Sequence, residues 1–161
     1  MKISTLCITL VTSLLVSGCG QNSASSTAGS AAAAGPREID ITAGDTMKYS
    51  VTAIEATPGE MLKVVLTNNG TLPKEVMGHD WTLLKAGSDS AAFSLAASTA
   101  KATEYVPPDL KDEIIAKIGL LGPHQSGDVT FSAPTTPGDY PYLCSFPAHY
   151  QAGMRGILTV K

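Results

Sequence analysis

The sequence predicts an all-β sandwich or barrel with a short helical insertion. Three observations predict it: short alternating apolar segments, Gly/Pro turn signals between them, and one Ala-rich stretch that breaks the alternation. Residues 38–42 alternate, as do residues 47–54, and Thr57-Pro-Gly-Glu60 supplies the turn that follows. Residues 61–67 (Met-Leu-Lys-Val-Val-Leu-Thr) give the strongest strand signal, closed by Asn68-Asn-Gly70. Residues 81–84, 128–131, 138–144 and 156–161 add four more strands. Residues 89–118 depart from the pattern. Residues 90–101 are Ala-rich, and residues 109–118 mix charged and apolar side chains after Pro107-Pro108. One or two short helices are expected there, packed outside the β core.

The bulk numbers fit one such domain with appendages. At 43% hydrophobic, 161 residues hold enough apolar material for a single core. A net charge of −3 offers no basic face, so nucleic acid is not an expected partner. Residues 1–18 read as a signal peptide: Met1-Lys2 gives a positive start, and an apolar stretch follows that is too short for a good membrane span. It ends in Leu15-Val-Ser-Gly-Cys19, which resembles a bacterial lipobox, with Cys19 as the lipidated residue. An ordinary signal peptide with an incidental Cys19 is the alternative. Residues 19–36 are then the lipidated cysteine and a flexible Ser/Ala/Gly tether, reaching roughly 20–25 Å. The folded domain is expected over 37–161.

Cysteine arithmetic directs attention to one loop. Cys7 leaves with the signal and Cys19 is consumed by lipid, so Cys144 alone remains and no disulfide forms within the exported domain. An unpaired thiol in that setting needs a reason. Cys144 is followed by His149 and Met154 before the last strand begins, and His79 lies upstream in Val76-Met-Gly-His-Asp-Trp81. A thiolate, two imidazoles and a thioether form the His2Cys-plus-weak-Met set of blue-copper electron transfer. Each residue alone is more often packing or surface; the joint pattern carries the reading. Zinc also accepts Cys/His sets, and the thioether favours copper. His124, the third histidine, is expected to be a plain loop residue because no partner Cys or His remains for it.

Residues 37–161 resemble a cupredoxin of the azurin and auracyanin type. The resemblance rests on Leu72-Pro-Lys-Glu-Val-Met-Gly-His-Asp-Trp81, Tyr142-Leu-Cys-Ser-Phe-Pro-Ala-His149, the 154–161 segment and the Gly119-Leu-Leu-Gly-Pro123 loop. Four residues separate His149 from Met154, a spacing similar to auracyanin, where azurins have three. The resemblance implies a Greek-key β-sandwich holding one type 1 copper through His79, Cys144 and His149. It also implies Met154 as a weak axial ligand and the Gly78 carbonyl as a long contact opposite. It implies a docking patch for redox partners around His149, built from Met77, Leu120, Leu121, Phe146, Pro147 and Ala148. Asp80 stands where the family usually has Asn tying the two ligand loops. It is either a harmless near-isostere or a carboxylate that favours Cu(II) and lowers the potential.

The function expected is that of a one-electron carrier rather than an enzyme, cycling Cu(II)/Cu(I). It would be held in the cell envelope, on the periplasmic or extracytoplasmic face, by lipid on Cys19. Its partners would be transient redox proteins such as a cytochrome or a membrane oxidoreductase complex. The alternative is copper storage or delivery, although the chain lacks the Met clusters of open handling sites. A copper enzyme of the nitrite-reductase kind needs a second copper and extra histidines, which a chain with three histidines cannot supply alone.

Overall fold

The computed structural model describes residues 35–161. The signal peptide, Cys19 and nearly all of the tether lie outside the described residues. Eight strands form two sheets. In the first, β1 (Arg37–Ala43) pairs in parallel with β3 (Met61–Asn68), which pairs antiparallel with β6 (Ser126–Ser132). The second has the order β2 (Ala53–Ala56), β8 (Arg155–Val160), β7 (Gly138–Leu143), β4 (His79–Leu84), β5 (Ile114–Leu121). The chain moves between sheets at five of its connections, which gives the Greek-key sandwich expected from the sequence.

Alternation decides which face each strand buries. On β3, Leu62, Val64 and Leu66 are fully buried while Lys63 and Val65 are partly exposed. Strand β4 is buried at every position, because it lies between β7 and β5 in the sheet and is covered on both faces. The core closes around Trp81, whose ring packs 5.4 Å from Tyr142 and 6.0 Å from Phe131.

The insertion holds one true helix, α2 (Ser90–Ala97), after the four-residue turn α1 (Lys74–Met77). Asp89 caps α2 by accepting the Ala91 and Ala92 amides, and Phe93 and Ala97 are its buried face. The helix expected over 109–118 is not formed. A 3₁₀ segment, Pro108–Glu113, ends there and Ile114 opens β5. Local charge suggested a helix, but Ile114, Ile115 and Ile118 are β-branched and β4 offers a free ladder edge, so pairing wins. The Gly119–Pro123 stretch expected as a loop is therefore strand as far as Leu121.

A second expectation is also corrected. Of the alternating 47–54 region only Ala53 and Ile54 are strand, where they open β2. A turn closes from the Met47 amide to the Gly44 carbonyl, Met47 adopts left-handed φ of 55°, and residues 48–52 cross irregularly from one sheet to the other. Its alternation still has a use: Tyr49 is buried in the core while Lys48 and Ser50 are exposed.

Candidate metal centre

Sheet register brings the distant ligand candidates together. Antiparallel pairing of Thr82 with Leu143 sets the start of β4 beside the end of β7. Toward the same end of the sandwich, β4 continues through Trp81 to Asp80 and His79, and β7 runs on into Cys144 and Ser145. The loop after Cys144 then folds back on itself. Ala148 takes a left-handed φ of 68°, and α3 (His149–Ala152) forms one helical turn. The Met154 amide donates to the His149 carbonyl at 2.9 Å, and the Cys144 amide donates to the Met154 carbonyl at 3.1 Å. Cys144, His149 and Met154 therefore sit on a hydrogen-bonded ring of backbone.

The donor atoms of His79, Cys144 and His149 all lie within 4.8 Å of one another. All three residues are at most 2% exposed. Cys144 Sγ lies 3.4 Å from His149 Nδ1 and accepts the Asp80 amide at 3.5 Å. The imidazole rings of His79 and His149 are 4.9 Å apart. Burial holds the Cys144 thiol well above its usual pKa, with the Asp80 charge adding to the effect. Burial lowers both histidines, His149 to about 4 with His79 as a further cause. Metal-free, the cluster is thus neutral. A bound cation would displace the thiol proton.

His79 gives the sharpest test of fit. Among the described residues, four buried side-chain polar atoms have no hydrogen-bond partner, and two of them are the ring nitrogens of His79. A buried ring nitrogen without a partner costs stability; a metal ion would satisfy one of the two, and the Gly44 backbone lies toward the ring for the other. A soft or borderline metal ion fits the thiol and imidazoles that surround it.

Met154 is fully buried where the loop closes. Gly78 is buried and extended, and a Cβ there would lie 2.6 Å from the Lys74 carbonyl and 2.9 Å from Leu120. Its place beside His79 therefore requires glycine. His124 is exposed and does not join the ligand group, and its amide donates to the Asn68 carbonyl.

Asp80 ties the two ligand segments, as the resemblance implies for this position. Its carboxylate accepts the Ser145 amide at 2.7 Å and the Ser145 hydroxyl. Lys117 Nζ stands 3.9 Å away. Burial raises the Asp80 pKa, against the opposing pull of Lys117 and Ser145. Sequence reasoning missed Lys117 because it lies in the segment read as helix; on β5 it pairs with Thr82.

The expected patch is partly corrected. Met77, Leu120, Leu121 and Pro147 are partly exposed and Ala148 is exposed, but Phe146 is 7% exposed. Its ring turns inward, 4.7 Å from the His149 ring and 5.0 Å from Tyr105 in an edge-on packing. Tyr105 comes from the insertion, aimed by two consecutive left-handed residues, Glu104 and Tyr105, at φ of 50° and 60°.

The family model of copper binding proteins, plastocyanin/azurin family, matches residues 37–161. The chain belongs to this family. Cupredoxins of this kind are one-electron carriers rather than enzymes, and copper is their metal. The chain is 34% identical over 119 residues to auracyanin-B of Chloroflexus aurantiacus, a match covering 73% of this chain and 49% of that protein. It is 34% identical over 126 residues to azurin of Pseudomonas denitrificans, covering 76% of this chain and 97% of that one. Among solved structures, the reduced auracyanin of Roseiflexus castenholzii superposes with a TM-score of 0.69 at 32% identity, covering 80% of this cupredoxin and 99% of that chain. Auracyanin A of Chloroflexus aurantiacus, described as a "blue" copper protein, gives the same TM-score over 79% of this chain and 100% of its own.

Proposed function

We propose that the domain holds one type 1 copper through His79, Cys144 and His149. Met154 would add a weak thioether contact, and the Gly78 carbonyl would be a long backbone contact. The protein serves as a membrane-tethered one-electron carrier. The observation that carries this reading is the buried cluster of one thiol and two imidazoles whose donor atoms lie within 4.8 Å of one another. When bound, copper supplies a Cu(II)/Cu(I) couple at a site with soft and borderline donors.

The chain's own residues supply the rest. Cys144, at the end of β7, gives up its proton on binding and couples the site to a core strand. Asp80 and Ser145 lock the two ligand segments, so the donors keep their places in both oxidation states. Near-complete burial keeps water and substrate out, which suits electron transfer and argues against storage or delivery, where the metal must be handed on. Transient redox partners, a cytochrome or a membrane oxidoreductase complex, would dock on the partly exposed Met77, Leu120, Leu121, Pro147 and Ala148 around His149. Export and a lipid on Cys19 would place the domain at the extracytoplasmic face of a membrane.

The test is to add Cu(II) to the protein and follow its visible spectrum. An intense blue band that a reductant bleaches and an oxidant restores is the expected result. Stoichiometric but colourless binding would overturn the carrier reading in favour of zinc or copper handling.

Asp80 offers a finer prediction. In Asp80→Asn the amide can still accept the Ser145 N–H and donate to the Ser145 hydroxyl, so the tie persists while the carboxylate charge is lost. A unit charge close to the metal interacts with it by a few kcal/mol at an effective dielectric near 20. The reduction potential is therefore expected to rise, on the order of 100 mV. A midpoint unchanged across pH would show Asp80 to be only a near-isostere.

A further inference from the structure

We propose that Lys48 and Tyr49 are positioning residues that brace both ligand-bearing segments from a single irregular turn, an inference that rests on the copper site proposed above. Neither residue is a ligand candidate, and both lie in the 47–52 segment that leaves the β pattern.

Strand β4 carries a bulge at Asp80: His79 pairs with Leu121 and Trp81 with Ile118, so Asp80 has no partner across the β4–β5 ladder. A buried strand carbonyl freed in this way needs another donor. The Tyr49 hydroxyl supplies it, donating to the Asp80 carbonyl from within the core. Tyr49 is 5% exposed and its ring packs 5.9 Å from Tyr142, so the hydroxyl is held in place by packing. The same Asp80 donates its amide to Cys144 Sγ and binds Ser145 through its carboxylate. Tyr49 therefore fixes the residue on which both ligand segments converge.

Lys48 points the other way. Its ammonium donates to the carbonyl of Ala152, the last residue of α3, which no further helical turn satisfies. Gly153 caps that turn at φ of 97°, and a Cβ on it would lie 2.5 Å from Lys48 Nζ. The missing side chain is the space that the ammonium fills. Met154 follows immediately. The left-handed Met47 sets the turn that sends two neighbouring side chains to opposite halves of the site, Tyr49 behind His79 and Lys48 behind Met154.

Amide hydrogen exchange on the metal-free protein, followed by spectra and potentials after copper loading, tests the brace. Tyr49→Phe keeps the ring and removes one buried hydrogen bond, leaving the Asp80 carbonyl unpaired. Exchange at residues 79–81 is expected to quicken roughly tenfold. Lys48→Met keeps the stem and should quicken exchange at 152–154 several-fold, while Lys48→Arg restores it. With copper bound, both Tyr49→Phe and Lys48→Met should shift the visible band and the potential. Exchange within twofold of wild type in both segments, with unchanged spectra, would overturn the brace. A change confined to one segment would overturn it for the other residue. Should wild-type protein bind copper without colour, the copper-site reading fails, and the metal-free exchange still reports on the brace.

Discussion

Replacing Cys144 by serine is expected to abolish the blue band entirely and to weaken Cu(II) binding at least a hundredfold. Removing an outer-shell partner of a metal site typically costs about 10–100-fold in affinity, and loss of the thiolate removes a direct donor. The fold should tolerate the change. Cys144 Sγ accepts the Asp80 amide and sits beside His149 Nδ1, and a serine hydroxyl can do both in the same place. Thermal unfolding of the metal-free variant should stay close to wild type, which separates loss of ligand from loss of structure. A blue band that persists in Cys144→Ser would remove the thiolate from the ligand set.

Gly156→Ala should be the most damaging of the small substitutions to the β core. A Cβ at this position would overlap the Tyr142 ring and lie 2.5 Å from the Thr52 carbonyl. Neither neighbour can yield cheaply. Tyr142 is fully buried, donates to the Val51 carbonyl at 2.9 Å and packs on Trp81. Thr52 is backbone, and its carbonyl accepts the Ile157 amide at 2.9 Å. Overpacking of this kind costs about 3 kcal/mol, which for a domain of this size lowers Tm by roughly 10 °C. Gly119→Ala is the control, because the nearest atom to a Cβ there is 3.8 Å away and the residue is exposed. A Tm for Gly156→Ala that matches this control would mean that the β2–β8 edge relaxes more freely than its contacts imply.

The metal cluster was legible because its chemistry is carried by residue types. One thiol, one histidine five positions on and a second before Asp-Trp narrow the candidates to a single set, and strand order needed only to bring them together. The supporting contacts were not legible in the same way. That Ser145 serves Asp80 with both its amide and its hydroxyl depends on the β4–β7 register, which a sequence does not state. The helix expected over 109–118 and the strand expected over 47–54 failed for opposite reasons. Ile114–Leu121 was claimed by an open ladder edge despite its charges, and 47–52 lost its strand pairing to a crossing between sheets that needs a left-handed residue. Phe146 was assigned to the surface by its neighbours Pro147 and Ala148. It is drawn inward because Tyr105, forty-one positions earlier, presents an aromatic edge to it.

The row of three rings from Tyr105 through Phe146 to His149 bears on how this fold can be re-engineered. The ligand loop looks like a cassette that could be lifted onto another sandwich, since its ring of backbone hydrogen bonds closes within 144–154. Its inner wall, however, is supplied by a segment that belongs to none of the strands. A graft of the loop alone would arrive with Phe146 facing a void, and trimming the insertion would open the same void without touching a ligand. The insertion is thus a removable-looking part on which the alignment of His149 depends, and loop and insertion should be transplanted as one unit.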